Sequence, residues 1–200
     1  SHGTGGSGLS HVDTAFALAE AGFVVVAPTH PGDNFRDDSA VGTPRWLMDR
    51  SRQVRRVGDY MLATWPRHGQ LDPDRVGMFG FSAGATTTLI SIGGEPDMAL
   101  LASHCAAHPE FVCQLSKAGG NLPKAGDWTH EPRIRAAVVA APGFGFLFAP
   151  EGLSRVSAPV QLWLGSRDDR VPFATNAGLV RSLLPVAPEF HSVPDRKSVV

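Results

Sequence analysis

The sequence predicts an α/β fold with a mostly parallel sheet, and three observations predict it. Apolar runs without alternation, such as Val76–Phe79 and Ile134–Ala141, are typical of strands that are buried on both faces. Helical patterns lie between these runs, and an alternation of strands and helices is the signature of a parallel sheet. The 200 residues, of which 42% are apolar and 18% charged, suit one domain with a substantial core.

Two elements are predicted before residue 28. Ser10 is a candidate helix cap, and Gly22 ends the helix that follows it. One face of this helix is apolar and consists of Val12, Ala15, Phe16 and Ala19. Phe23–Ala27 is a continuous apolar run with three valines, which predicts a strand buried on both faces.

A long helix is predicted from Arg45 to about Trp65, because Thr43-Pro44 is a typical helix start. The apolar side chains of its inner face are Leu47, Val54, Val57, Met61 and Leu62. Its arginines cluster with a spacing that favours a solvent-exposed face over a phosphate site; they are Arg50, Arg52, Arg55 and Arg56.

The second half of the chain predicts strands at 134–141, 160–164 and 189–193, with a helix at 173–184. Residues 94–133 interrupt this rhythm, and so long an irregular excursion usually covers a site. It contains Cys105 and Cys113, which would form a disulfide in an oxidising compartment and stay thiols in the cytosol; their place in a loop slightly favours the disulfide. The cysteine and histidine spacings match no standard zinc site.

The central motif is a G-x-S-x-G pentapeptide formed by Gly80, Ser82 and Gly84, between the run Val76–Phe79 and the helical run Ala85–Ile92. On a sharp strand-to-helix turn, the serine points its Oγ out of the sheet, and the glycines prevent collisions within the turn. The N–H groups at the start of the helix favour an anion there. An ordinary glycine-rich turn has the same pattern, so the interpretation depends on the other motifs.

Two further motifs lie where such a serine would need them. Residues 1–8 form a glycine-rich loop of the H-G-x-G-G kind, which can supply a backbone N–H to an oxyanion hole and lacks the Gly-Lys-Ser/Thr ending of a phosphate loop. Asp168 follows the predicted strand at 160–164, where the acid of a catalytic triad would lie, and Asp169 would be its solvated neighbour.

The histidine of a triad is not found after the last strand, where the chain order requires it. His191 lies inside the predicted strand 189–193, and we interpret it as a strand histidine. Residues 195–200 are what the start of a widely used sequencing adapter would encode, and we interpret them as a non-native tail. The sequence would then be a fragment without its general base, and we expect these 200 residues alone to be inactive.

The three motifs together resemble those of the α/β-hydrolase superfamily. More narrowly, they are similar to those of bacterial dienelactone-hydrolase-related proteins and platelet-activating-factor acetylhydrolases. The motifs are Ser-His-Gly-Thr-Gly-Gly at 1–6, Gly-Phe-Ser-Ala-Gly at 80–84 and Gly-Ser-Arg-Asp-Asp-Arg-Val-Pro at 165–172. The resemblance implies one α/β-hydrolase domain at 1–194, truncated at both ends, with helices on both faces of the sheet and a cap-like excursion at 94–133.

The resemblance also implies a serine esterase that needs no cofactor or metal and acts on a small-molecule ester. Ser82 would be the nucleophile, Asp168 the acid, and the backbone N–H groups of Thr4 and Ala83 the oxyanion hole. Dienelactone hydrolases proper use a cysteine nucleophile, so the resemblance does not identify the ester. Lactonase, thioesterase or peptidase activity, and a non-catalytic binding protein of the same fold, are the alternatives.

Charge and hydropathy exclude other classes of function. The net charge of −1 provides no field that would attract nucleic acid or an acidic membrane. No apolar run approaches the ~20 residues that a membrane span requires. The compartment stays open between the bacterial cytoplasm and an oxidising periplasm or exterior.

Overall fold

The computed structural model describes residues 1–117, 122–124, 126–194 and 196, and it confirms the α/β class. Four strands form one parallel sheet in chain order: β1 Val76–Phe81, β2 Ile134–Ala140, β3 Val160–Gly165 and β4 Glu189–Val193. Each strand pairs in parallel with the next, so their carboxyl ends meet at one edge of the sheet. The loops that follow β1, β2 and β3 therefore lie side by side.

Six α-helices lie among the described residues: α1 Val12–Glu20, α2 Trp46–Ala63, α3 Ala83–Ser91, α4 Leu100–Ala107, α5 Phe111–Leu115 and α6 Ala177–Leu183. Helix α3 packs on β1, β2 and α2, whereas α6 packs on β3. Leu89, Val139, Leu162 and Val180 are fully buried in the core between them. The described helices are all too short or too polar to cross a lipid bilayer.

The predicted strand Phe23–Ala27 is wrong. These residues belong to no strand, and Phe23 and Val24 are 53% and 51% exposed. A strand needs a neighbour that pairs with its N–H and C=O groups, and no described residue provides one here. The apolar face predicted for α1 is exposed as well, including Phe16. The N-cap of that helix is His11 rather than Ser10.

The prediction of a solvent-exposed Arg50 is also wrong, whereas Arg52, Arg55 and Arg56 are exposed. Arg50 is 1% exposed. It lies three residues after Leu47 and four before Val54, and residues with this spacing share one face of a helix. Arg50 therefore belongs to the inner face that those apolar residues define.

The excursion at 94–133 is more regular than predicted, because it contains α4 and α5. Cys105 in α4 and Cys113 in α5 form a disulfide, as their sequence context slightly favoured. The predicted helix at 173–184 is a 3₁₀ turn, Phe173–Thr175, followed by α6. The predicted tail at 195–200 lies outside the described residues except for Arg196.

Candidate active site

Ser82 occupies the turn between β1 and α3 with a backbone φ of 54° and ψ of −119°. A positive φ is strained for a residue with a side chain, and such strain persists only where the surroundings impose it. The N–H of Ser82 donates to the Ala140 carbonyl oxygen of β2 over 2.9 Å, which fixes the turn on the sheet edge. The strand-to-helix turn that the motif predicts is therefore present.

The two glycines of the motif are required by close approach. A Cβ on Gly80 would lie 2.2 Å from the Gly84 carbonyl oxygen, and a Cβ on Gly84 would lie 2.0 Å from the Ser1 carbonyl oxygen. Both distances are shorter than carbon and oxygen can approach without bonding. Any larger residue would push α3 away from β1 or from the first loop.

The glycine-rich loop of residues 1–6, which is the predicted oxyanion loop, lies against this turn. Ser1 pairs with β1, because its nitrogen donates to the Phe79 carbonyl oxygen (2.7 Å) and its own carbonyl accepts from the Phe81 N–H (3.1 Å). A Cβ on Gly3 would lie 3.4 Å from Ser82 Cβ, so the loop passes directly over the serine.

Two backbone donors adjoin Ser82. The N–H groups of Thr4 and Ala83 have no hydrogen-bond acceptor among the described residues. Thr4 follows Gly3 in the loop above the serine, and Ala83 is the first residue of α3. Free N–H groups in this arrangement can bind a negatively charged oxygen.

Asp168 lies in the loop after β3 and is 9% exposed. Its Oδ1 accepts the N–H groups of Arg170 and Val171, both over 3.0 Å. Its Oδ2 is buried and has no hydrogen-bond partner among the described residues. Val171 and Ser82 approach the same point, since a Cβ on Gly143 would lie 3.7 Å from Val171 Cγ1 and 3.6 Å from Ser82 Oγ.

None of the eight histidines donates to or accepts from Ser82 Oγ in the part of the chain that the structure describes. His191 lies in β4 as predicted, where its ring stacks on Trp163 and its Nε2 lies 2.7 Å from Glu189 Oε1. His11 borders the cavity at Ser82, but its ring packs on β1 and no described carboxylate hydrogen-bonds to it.

A cavity of about 430 Å³ opens in front of Ser82. Its polar side includes Thr4, Ser10, His11, Asp13, Thr14 and Arg170. Its apolar side is formed by Phe81, Phe111, Val112, Leu115, Phe144 and Val171. Three of these apolar residues belong to α5, so the excursion at 94–133 does contribute a wall of this cavity. No described cluster of three histidine, cysteine or acidic side chains could hold a metal ion.

Sequence reasoning missed a buried polar network behind the oxyanion loop. Asp33 and Arg50 form an ion pair in which both side chains are 1% exposed. Asp33 also accepts the indole N–H of Trp46 and the backbone N–H of Gly5. The burial of Arg50 could have been predicted from its position on the inner face of α2. The burial of Asp33 could not, because Pro31-Gly32-Asp33-Asn34 is typical of an exposed turn.

His30 belongs to the same network and is fully buried. Its Nε2 lies 2.8 Å from Ser1 Oγ, and its Nδ1 lies 2.6 Å from Gln53 Oε1. Burial, together with the positive charge of Arg50, lowers the pKa of His30 from 6.5 to about 2. The ring is therefore neutral in the folded protein wherever the fold is stable.

This pKa predicts a loss of stability in acid. Below pH 6.5 the unfolded chain takes up a proton at residue 30 and the folded chain does not, so the free energy of unfolding falls by up to ~1.4 kcal/mol per pH unit. Between pH 7.5 and pH 5, urea unfolding should show about 2 kcal/mol more loss for the wild type than for a His30→Gln variant. Equal losses in the two proteins, or an NMR titration of His30 near pH 6.5, would contradict the assignment.

No protein-family model matches the chain, and a search of curated proteins gives no match. Solved structures resemble it over nearly its whole length. A dienelactone hydrolase from Anabaena variabilis has a TM-score of 0.62 at 19% identity, over 99% of this chain and 74% of that one. The esterase PE8 has a TM-score of 0.57 at 18% identity, over 99% and 82%. A monoacylglycerol lipase from Paleococcus ferrophilus has a TM-score of 0.59 at 13% identity, over 99% and 84%.

These likenesses settle the fold. The chain has the α/β-hydrolase fold, as its three motifs predicted, and the three neighbours described above are hydrolases by name. Fold alone does not determine function, so the activity has to be argued from the site.

Proposed function

We propose that this chain is the catalytic part of a serine hydrolase that cleaves carboxylic esters through an acyl-enzyme on Ser82. The observation that carries the proposal is the backbone of Ser82, held at φ 54° beside a cavity of about 430 Å³. Such strain costs about 1–3 kcal/mol and is typical of functional positions. The esterase, the lipase and the dienelactone hydrolase among the structural neighbours support a hydrolase.

The proposed reaction uses the donors around Ser82. Its Oγ attacks the ester carbonyl carbon, and the carbonyl oxygen becomes an oxyanion that accepts the N–H groups of Thr4 and Ala83. The tetrahedral intermediate then expels the alcohol and leaves an ester on Ser82, which water hydrolyses by the same route. One oxyanion donor typically contributes about 10²–10³ in rate.

The reaction needs a general base, and we propose a histidine that follows Pro194 in the gene. Its ring would donate to Asp168 Oδ2, the buried oxygen without a described partner, while Oδ1 stays bonded to the N–H groups of Arg170 and Val171. Held in this way, the other ring nitrogen would take the proton of Ser82 and return it to the leaving alkoxide. The cavity, apolar on the α5 side, suits an ester with an apolar acyl group.

The test uses the full-length protein that carries this chain. A fluorophosphonate probe should label it, mass spectrometry should place the label on Ser82, and nitrophenyl esters from acetate to octanoate should be cleaved. Ser82→Ala should abolish both signals, and Ser103→Ala, which changes an exposed serine of α4, should keep them. A folded protein that is neither labelled nor active overturns the proposal and favours the non-catalytic alternative.

The disulfide gives a prediction about substrate binding. Cys105 and Cys113 tie α5 to α4 across a separation of eight residues, and closing a loop of this size stabilises the fold by about 2–3 kcal/mol. Without this bond, Phe111 and Leu115 should no longer be fixed as a cavity wall.

A Cys105→Ser, Cys113→Ser double variant should therefore unfold at a lower urea concentration and show a raised KM with kcat retained. Dithiothreitol should reproduce this effect in the wild type and leave the variant unchanged. An unaltered KM in the folded variant would show that α5 does not contact the substrate.

A further inference from the structure

We propose that the buried ion pair of Asp33 and Arg50 positions the oxyanion loop, which makes both of them positioning residues for hydrolysis at Ser82. The inference rests on the proposed function. It assigns a role to two residues that lie outside all three sequence motifs, one in the loop after residue 30 and one in α2.

Asp33 holds the loop on the carboxyl side of Thr4. Its Oδ1 accepts the backbone N–H of Gly5 over 2.8 Å, and Gly5 is the residue that follows Thr4. Its Oδ2 accepts from Trp46 Nε1 and from the Arg50 guanidinium. These two bonds fix the position of the carboxylate group whose other oxygen holds the loop.

Arg50 holds the loop on the other side. One guanidinium nitrogen donates to the His2 carbonyl oxygen, and the same nitrogen lies 3.2 Å from Ser1 Oγ. Its Nε donates to Thr87 Oγ1 over 3.1 Å, and that hydroxyl donates to the Ala83 carbonyl oxygen over 2.8 Å. Arg50 therefore holds the loop two residues before Thr4 and reaches Ala83, which carries the other proposed oxyanion donor, through Thr87.

Arg50 and Asp33 therefore hold the two peptide units on either side of the unit that carries the proposed donor. The N–H of Thr4 belongs to the unit between Gly3 and Thr4. Arg50 holds the preceding unit through the His2 carbonyl oxygen, and Asp33 holds the following unit through the Gly5 N–H. A donor stabilises a transition state best when it is aimed before the reaction, and fixing both neighbouring units aims this one.

A charge-free double variant, Asp33→Leu with Arg50→Met, tests the role in the full-length protein. Removing both charges together avoids the strong destabilisation that an unpaired buried charge causes, and such replacements are often neutral for stability. We expect the variant to stay folded with an unchanged KM, and we expect kcat on nitrophenyl acetate to fall about 10²-fold, the effect of one misplaced oxyanion donor.

Thr4→Pro separates positioning from a general structural role, because it removes the N–H that the pair is proposed to aim. Alone it should lower kcat by about 10²–10³. When the charge-free pair is combined with Thr4→Pro, kcat should fall by less than about a further threefold. The reason is that the effects of residues that act through one group are not additive. If the two losses of kcat multiply in the combined variant, the proposal is wrong.

Trp46→Phe tests the positioning role if the double variant does not fold. It removes one donor to Asp33 and keeps an aromatic ring against Phe144, and kcat should fall about tenfold with KM constant. An unchanged kcat would overturn the proposal.

The matched control is the surface ion pair of Arg45, the N-cap residue of α2, and Asp49 in the first turn of that helix, whose replacement by methionine and leucine should leave kcat unchanged. Ser82→Ala separates this inference from the function on which it rests. If that variant retains turnover, the proposed function is wrong. If it is inactive while the charge-free pair keeps the wild-type kcat, only the positioning role is wrong.

Discussion

Replacing Ser82 with alanine should lower kcat on nitrophenyl acetate by about 10⁶-fold. Replacing it with glycine should lower kcat equally, but the glycine variant should be more stable than the alanine variant. Both changes remove the nucleophile. They differ in the backbone, because alanine keeps the strain of φ 54° and glycine adopts a positive φ at little cost. After the greater chain entropy of glycine is allowed for, the free energy of unfolding should be about 1 kcal/mol higher for Ser82→Gly than for Ser82→Ala.

Urea unfolding of the two variants measures this difference, and Ala141 provides the control. It is the other described non-glycine residue with a positive φ, 46°, and it lies in the neighbouring loop after β2. Ala141→Gly should gain similar stability and keep its nucleophile. A glycine variant at 82 that is less stable than the alanine variant would show that the turn is not strained. A residual kcat within about 10²-fold of the wild type would mean that another group is the nucleophile.

The sequence predicted what depends on local pattern. The turn at Ser82 was predictable because its glycines, its strand and its helix are all adjacent in the chain. β2 and β3 were predictable because continuous apolar runs stand out between loops, and the shorter, more polar β4 also has its predicted bounds. Helix α4 was missed because its apolar residues lie all round the helix and follow no helical period, although its leucine and alanine residues favour a helix.

Features that depend on distant parts of the chain were not predictable in this way. Phe23–Ala27 has the composition of a buried strand, yet strand formation depends on a partner that composition does not reveal. Arg50 looked solvated because arginine usually is, and its burial depends on a charge partner, Asp33, that lies seventeen residues earlier in the chain. The ion pair and the glycine-rich loop at residues 1–6 meet only in three dimensions, so the motifs predict a donor at Thr4 but not what holds it.

Asp168→Asn should lower kcat of the full-length protein by about 10⁴-fold and leave its stability nearly unchanged. An asparagine Oδ1 can still accept the N–H groups of Arg170 and Val171, so the loop after β3 keeps its anchor. The buried Oδ2 becomes an NH₂ group, which cannot accept a hydrogen bond from a histidine and would face it with two donors. The effect should therefore appear in kcat and not in urea unfolding.

Asp169→Asn is the matched control, because it makes the same chemical change at the adjacent exposed carboxylate, and it should keep the wild-type kcat. Asp168→Ala should lose stability as well as activity, since both loop hydrogen bonds are lost with the carboxylate. An Asp168→Asn enzyme with the wild-type kcat would mean that Oδ2 orients no base. The unpaired oxygen would then be a feature of the loop alone, and the search for the base would return to His11, the histidine that borders the cavity at Ser82.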